Sequence, residues 1–87
     1  MKIKNGFMLR KVGEQNVVVA IGEASRSFNG IIRLNDSGKY LWEKLSDETT
    51  EEQLLTDMLN DYEIDEATAK ADINRFIDSL KKADILE

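Results

Sequence analysis

The fold of this 87-residue chain is decided by the stretch Phe28-Asn29-Gly30-Ile31-Ile32-Arg33-Leu34-Asn35-Asp36-Ser37-Gly38-Lys39-Tyr40-Leu41-Trp42. Its first part predicts a short strand over residues 30–34 that begins at a glycine. Asn35 is a favourable N-cap, and Asp36 adds negative charge where the helix dipole favours it. The apolar face of the helix that follows consists of Gly38, Leu41, Trp42 and Leu45. The stretch therefore predicts a strand that leads directly into an amphipathic helix.

The residues before this stretch predict two further strands. Residues 7–12 and 16–21 are rich in apolar and β-branched side chains, and they flank the three-residue connection Gly13-Glu14-Gln15. Such a pattern is typical of a β-hairpin. Residues 22–29 are polar, and we expect them to form a loop before the third strand. The result is a three-stranded antiparallel meander, which needs helices on one face to be stable.

The residues after the stretch predict two more helices. A capping box, either Thr49 with Glu52 or Thr50 with Gln53, predicts the start of the second helix. Asp65 predicts the start of the third and longest helix. The apolar positions of these two helices are Leu54, Leu55, Met58, Leu59, Tyr62, Ala69, Ile73, Phe76, Ile77 and Leu80. Three strands followed by three helices predict a single α+β domain with a winged helix-turn-helix-like architecture.

The composition argues against catalysis. The chain has no His and no Cys, so the commonest general base, a thiol nucleophile and the usual zinc ligands are missing. Its serines therefore have no histidine to activate them. The seventeen acidic residues fall mainly at helix starts and on polar faces, which is typical of solvated surface. We expect neither an enzyme nor a protein that binds a cofactor or metal ion.

The charge and hydropathy patterns narrow the range of partners. The net charge is −5 and thirteen of the seventeen acidic residues lie in residues 46–87, which opposes binding to phosphate backbones. The longest apolar run, residues 17–21, is too short to span a bilayer, and no secretory signal is recognisable. We therefore expect a cytoplasmic protein whose partners are neither nucleic acid nor membrane.

The third strand is the strongest candidate for a binding surface, because in a meander it lies at an edge with unpaired backbone groups. It carries Ile31, Ile32 and Leu34 around Arg33, and alternation can bury only one of its faces. Two interpretations stay open: Arg33 protects the edge, or the edge docks a peptide. On the longest helix, one flank of the apolar stripe carries Asp72, Arg75, Phe76 and Ser79. The other flank carries Lys70, Asn74 and Lys81.

At this point the sequence resembles a known family. The pattern Leu-Asn-x-x-Gly-x-x-x-Trp, formed by Leu34, Asn35, Gly38 and Trp42, is similar to the core signature of the PqqD-like family. This family comprises the peptide chaperones of pyrroloquinoline quinone synthesis and related leader-peptide recognition domains. Residues 49–54 and 61–65 also resemble the family in order and spacing, and the resemblance covers nearly the whole chain. One departure is Asp84, near which members commonly carry a glycine.

The resemblance implies a non-catalytic, winged helix-turn-helix-like domain that binds the leader of a ribosomally made precursor peptide. It implies that the leader adds a strand beside the third strand and places apolar side chains in the groove next to the third helix. It also implies delivery to a peptide-modifying enzyme, often a radical S-adenosylmethionine protein. The expected peptide-binding residues are Ile31, Ile32, Arg33, Leu34, Asp72, Arg75, Phe76 and Ser79. Arg33 and Arg75 are expected partners for leader carboxylates, and Asp72 for a leader Lys or Arg.

Two other functions are weighed against leader binding. A winged helix can bind DNA, but the acidic second half, with Asp57, Asp61, Asp72 and Asp78 on its helices, opposes that function. The edge strand can instead pair with a second copy of the chain, which makes a homodimeric interaction domain the other alternative.

Overall fold

The computed structural model describes residues 1–27 and 30–87, so that Phe28 and Asn29, the first residues of the deciding stretch, lie outside the described residues. Its elements are β1 (Phe7–Val12), β2 (Gln15–Ala20), α1 (Ala24–Ser27), β3 (Ile31–Leu34), α2 (Asp36–Leu45), α3 (Glu51–Asp61) and α4 (Glu66–Lys82). Three antiparallel strands followed by three long helices confirm the predicted α+β architecture. The short helix α1 corrects the prediction of a loop over residues 22–29. It forms because the N–H and hydroxyl of Ser25 both donate to the Gly22 carbonyl, which closes one turn.

The strands follow one another in the sheet in the order β1-β2-β3, and both pairs are antiparallel. Val18 of the central strand stands opposite Leu9 on one side and Ile32 on the other. Val18 is fully buried and belongs to the core, so this row marks the inner face, which packs against the helices. The other face of the sheet points away from the helices because successive side chains alternate.

Each long helix begins at a polar cap that the sequence predicts. The side chain of Asn35 accepts a hydrogen bond from the Gly38 N–H at 2.8 Å, and that of Asp65 accepts one from the Thr68 N–H at 2.7 Å. For α3 the cap is Thr50, whose hydroxyl accepts from the Gln53 N–H. These bonds satisfy N–H groups that have no partner within the helix.

The core lies between the inner face of the sheet and the three long helices. Trp42 is 4% exposed, which agrees with its predicted packing role. The other fully buried large side chains are Val18, Leu41, Leu45, Leu54, Met58, Leu80 and Ile85. The chain after α4 returns to the N-terminal segment, where Leu86 forms a β-bridge with Ile3.

Candidate peptide-binding cleft

A cleft of about 250 Å³ opens between the start of α2 and one flank of α4. The residues that line it are Asn35, Ser37, Gly38, Leu41, Asp72, Arg75, Phe76 and Ser79. At this size it is smaller than the sites that usually hold drug-sized ligands or cofactors, which occupy roughly 300–1,000 Å³. The cleft therefore suits a few side chains of a peptide better than a whole small molecule.

Gly38 lets three elements meet at the floor of the cleft. A Cβ atom built on Gly38 would lie 3.4 Å from Cβ of Leu34 in β3 and 3.5 Å from Cε1 of Phe76 in α4. It would also lie 3.1 Å from Oδ1 of Asn35, which is tight for a carbon–oxygen contact. A larger side chain would fill the space between the strand end and the ring. Close packing between β3, α2 and α4 thus explains why a small residue, glycine, occupies this position of the signature.

The predicted flank of α4 is the one that faces this cleft. All four of its expected binding residues, Asp72, Arg75, Phe76 and Ser79, line the cleft. The opposite flank lines a separate cleft of about 180 Å³ against α3, through Lys70 and Asn74. The helix therefore presents two different surfaces, and only the first adjoins α2 and the end of β3.

The four predicted residues of β3 divide between the two faces of the sheet. Leu34 is 9% exposed and Ile32 is half-buried against the core, so both side chains lie on the helix side. Ile31 is 56% exposed, and Arg33 is exposed opposite Val17 of β2. Leu34 packs against Gly38, which lines the cleft, and Ile32 lies on the same face, but neither side chain lines the cleft itself. The structure does not bring the side chains of Ile31 or Arg33 to the cleft.

The edge of β3 is open on the side away from β2. No strand among the described residues pairs with that edge, since β3 is the last strand of the sheet. In an antiparallel sheet alternate residues of an edge strand direct their N–H and C=O groups outward. Within residues 1–27 and 30–87 no other strand pairs with these groups, and Leu34 at the end of β3 adjoins Gly38 of the cleft.

The polar groups around the cleft are largely satisfied by one another. Asp72 and Arg75 form an ion pair at 3.7 Å, in which the Asp72 side chain is 29% exposed and that of Arg75 is 78% exposed. The Ser79 hydroxyl donates to the Phe76 carbonyl at 2.7 Å. The Ser37 hydroxyl donates to Oδ1 of Asn35. A ligand therefore meets an apolar floor and one adjustable ion pair at the rim.

Sequence reasoning did not identify the side of the cleft that α2 provides. The sequence pattern indicates a helix cap at Asn35 and places Gly38 and Leu41 on the apolar face of the helix, and it does not indicate a cleft. The available signal was the glycine itself, because a glycine inside an amphipathic helix often marks a close approach. The partner in that approach, Phe76, is distant in sequence, so the spacing of α2 alone does not reveal it.

The clearest electrostatic coupling lies away from the cleft, between α2 and α3. The Tyr40 hydroxyl donates to a carboxylate oxygen of Asp61, and the ring of Tyr62 stands edge-on to that of Tyr40. Burial and the carboxylate together raise the pKa of Tyr40, with burial the larger cause. This cluster joins two helices and stabilises their packing. Among residues 1–27 and 30–87 no group of three metal-ligating side chains is placed to hold an ion.

Comparison with known proteins agrees with this geometry. Over residues 15–86 the sequence matches the family described as coenzyme PQQ synthesis protein D (PqqD). No curated protein matches the sequence. Among solved structures, the fold is similar to that of TbiB1 in complex with the TbiA(beta) leader peptide, with a TM-score of 0.77 and 20% identity. That similarity covers 100% of this chain and 95% of the other. Within the part that the structure describes, no helix is long and apolar enough to cross a membrane. The chain belongs to the PqqD family.

Proposed function

We propose that this protein binds the leader segment of a precursor peptide and catalyses no reaction itself. The observation that carries the proposal is the cleft between the start of α2 and α4, which adjoins Leu34 at the end of the edge strand β3. The solved structure with a similar fold holds a leader peptide, which supports the same class of ligand for this family member.

The leader binds by adding a strand to the edge of β3. Backbone hydrogen bonds to β3 supply affinity without regard to sequence, and pockets for alternate side chains supply selectivity. On the helix side of that edge the half-buried side chains of Ile32 and Phe76 leave apolar surface accessible, while Leu34 is buried against Gly38. One face of the added strand therefore contacts this surface, and its apolar side chains enter the cleft above Gly38.

The ion pair at the rim sets the preference for charged leader residues. Asp72 is the more buried partner, so it is the group that selects a leader Lys or Arg close to the cleft. Arg75 is the more exposed partner and can turn outward to a leader carboxylate. Either contact with the leader breaks the ion pair between Asp72 and Arg75. Because this pair is largely exposed, its loss destabilises the protein by only about 0–1 kcal/mol.

The bound leader is then presented to a peptide-modifying enzyme, for which a radical S-adenosylmethionine protein is the leading candidate. The carboxylate that lines the cleft, Asp72, is paired with Arg75, and the two serines there have no histidine to activate them, because the sequence contains none. A domain that holds the leader while a separate enzyme modifies the rest of the precursor fits this chemistry.

The test is an NMR titration of isotope-labelled protein with a synthetic leader encoded by a small open reading frame beside the gene. Shifts concentrated on residues 30–35, Gly38 and the Asp72–Ser79 flank would support strand addition. A scrambled peptide of the same composition is the control. Shifts on the α3 side of α4, or none in a folded protein, would overturn the proposal.

A further inference from the structure

The sheet face that points away from the helices carries a regular pattern of its own. The strand register places Met8, Val19 and Ile31 in one row across the three strands, and Arg10, Val17 and Arg33 in the next. We call these six residues the outer sheet face. Because alternate side chains point to opposite faces, none of the six points toward the helices.

The first row of the outer sheet face is apolar and open to solvent. Met8 is 39% exposed and Ile31 is 56% exposed, although both are large hydrophobic side chains. Val17 is 4% exposed, yet it does not belong to the buried cluster between sheet and helices. Its neighbours across the strands are the two arginines, one on each side. The face is thus an apolar surface bordered by two cations.

The two arginines have no partner within the described part of the chain. No carboxylate of residues 1–27 or 30–87 forms an ion pair with Arg10 or Arg33, and neither guanidinium forms a hydrogen bond there. This is notable in a protein of net charge −5, where five other Lys and Arg side chains pair with nearby carboxylates. Two strand spacings separate Arg10 from Arg33, about 10 Å.

We propose that the outer sheet face is a docking surface for an acidic amphipathic helix of a partner protein. A sheet face buries its apolar row against a second layer, and a helix is about 10 Å wide, the distance between the two arginines. Glu or Asp residues beside the apolar stripe of that helix would reach Arg10 and Arg33. Charge complementarity of this kind fixes the orientation of a partner.

Charge also argues against a second copy of the chain on this face. A symmetric contact places the same patch of both copies together, so Arg10 and Arg33 of one copy would meet the same residues of the other. The proposed leader-binding cleft lies on the opposite side of β3, beyond Leu34. A partner on the outer sheet face therefore leaves the cleft open, and leader and partner can be bound at the same time.

The experiment uses two synthetic amphipathic helical peptides that share one leucine stripe. One carries Glu beside the stripe and the other carries Lys at the same positions. If only the net charge of the protein mattered, the Lys peptide would bind more tightly, because the protein is acidic overall. We expect the Glu peptide to shift the NMR signals of Met8, Val17 and Val19 at concentrations below about 1 mM, which corresponds to weak but specific binding.

Two charge reversals on one strand separate the outer sheet face from nonspecific effects. Arg10→Glu changes the proposed surface, whereas Lys11→Glu makes the same charge change on the opposite face of β1, where Lys11 stands opposite Asn16. We expect Arg10→Glu to weaken the Glu peptide about tenfold and Lys11→Glu to change its affinity less than about twofold. The proposal would be overturned if both variants lost the same affinity for the Glu peptide. It would also be overturned if the Glu peptide shifted NMR signals of the cleft instead of the outer sheet face, or shifted none. Leader binding, measured separately, is expected to be the same in both variants.

Discussion

Gly38 of α2 lies directly against the ring of Phe76 of α4, since a Cβ atom on Gly38 would stand 3.5 Å from Cε1 of that ring. The same position touches Leu34, the last residue of β3. The strand β3, the helix α2 that follows it and the helix α4, which is distant in sequence, therefore pack against one another at Gly38. Gly38 lines the proposed peptide-binding cleft, so a side chain larger than a methyl group at this position would meet Phe76 and Leu34.

Filling the position is expected to close the cleft. Gly38→Val would place two methyl groups against Phe76 and Leu34, and overpacking of this kind costs about 1–3 kcal/mol of unfolding free energy. Leader affinity is expected to fall more strongly than with Gly38→Ala, in which a gain in helix propensity of about 1 kcal/mol offsets the tight contact with Asn35. Urea unfolding and leader titration of both variants measure these effects.

Lys39→Val is the control, because it adds a β-branched residue to the same turn of α2 at a position that does not line the cleft. It should cost a few tenths of a kcal/mol and leave leader affinity unchanged. Full affinity in Gly38→Val would mean that the leader does not enter the cleft.

Truncating the ring is expected to weaken leader binding without unfolding the protein. Phe76 is half-buried, so Phe76→Ala should cost about 1–3 kcal/mol, less than for a fully buried aromatic residue. It should lower leader affinity about tenfold or more, as removal of an interface anchor does. Leu55→Ala is the matched control, because Leu55 is also half-buried but lines the cleft on the α3 side. Similar loss of affinity in both variants would place the leader elsewhere or spread its contacts over the helix.

The helix starts could be predicted from the sequence because capping is local. Asn35, Thr50 and Asp65 each bond to an N–H three residues ahead, so a short motif contains both partners. The helix α1 could not be predicted in this way. Its four residues show no apolar periodicity, and the turn is closed by hydrogen bonds from Ser25 to Gly22 and from the Arg26 N–H to the Glu23 carbonyl.

The faces of β3 required the register of the sheet. The sequence shows that Ile31 and Ile32 must point in opposite directions, but not which of them faces the helices. The pairing of Ile32 with the buried Val18 decides it, and that pairing is a non-local property of the fold. For the same reason the sequence does not reveal that Arg33, an expected peptide-binding residue, has its side chain on the sheet face away from the cleft.

Asp84 is expected to limit stability slightly. Its φ is 58°, in the left-handed region that glycine prefers, and it follows α4 in a Schellman motif. In that motif the Ile85 N–H donates to Leu80 O at 2.9 Å and the Asp84 N–H to Lys81 O at 3.0 Å. The family resemblance also predicts a glycine near this position. The structure thus explains why Asp84 is a departure that the fold tolerates at a small cost.

Asp84→Gly is expected to raise the stability by about 0.5 kcal/mol, or roughly 2–4 °C in melting temperature. Relief of the left-handed strain is partly offset by the larger unfolded-state entropy of glycine and by loss of the ion pair with Lys4. Lys4→Met removes that ion pair alone, and it should lower the melting temperature slightly. If Asp84→Gly lowers the melting temperature more than Lys4→Met does, the interactions of the Asp84 side chain stabilise the protein by more than the left-handed backbone strain destabilises it.

The cap of α4 is expected to make part of the stability depend on pH. Hydrogen bonds from Thr68, the side chain contributing more than the backbone N–H, lower the pKa of Asp65 from its ordinary value of 3.8. A lowered folded-state pKa means that the contribution of Asp65 is fully present above pH 3.8 and is lost as the pH falls through the folded value. Asp65→Asn keeps a good cap but does not titrate. As the pH falls from 7 into the acid range, the urea midpoint of the wild type should therefore decrease relative to that of Asp65→Asn.

Thr68→Val separates the two hydrogen bonds of this cap, because it removes the hydroxyl and keeps the backbone N–H. An NMR titration of the Asp65 carboxyl group in this variant should give a pKa that returns toward 3.8 without reaching it. A pKa of Asp65 equal to that in the wild type would assign the whole effect to the backbone N–H and the helix dipole. If the difference in urea midpoint between wild type and Asp65→Asn does not change with pH, Asp65 caps α4 equally well when it is protonated.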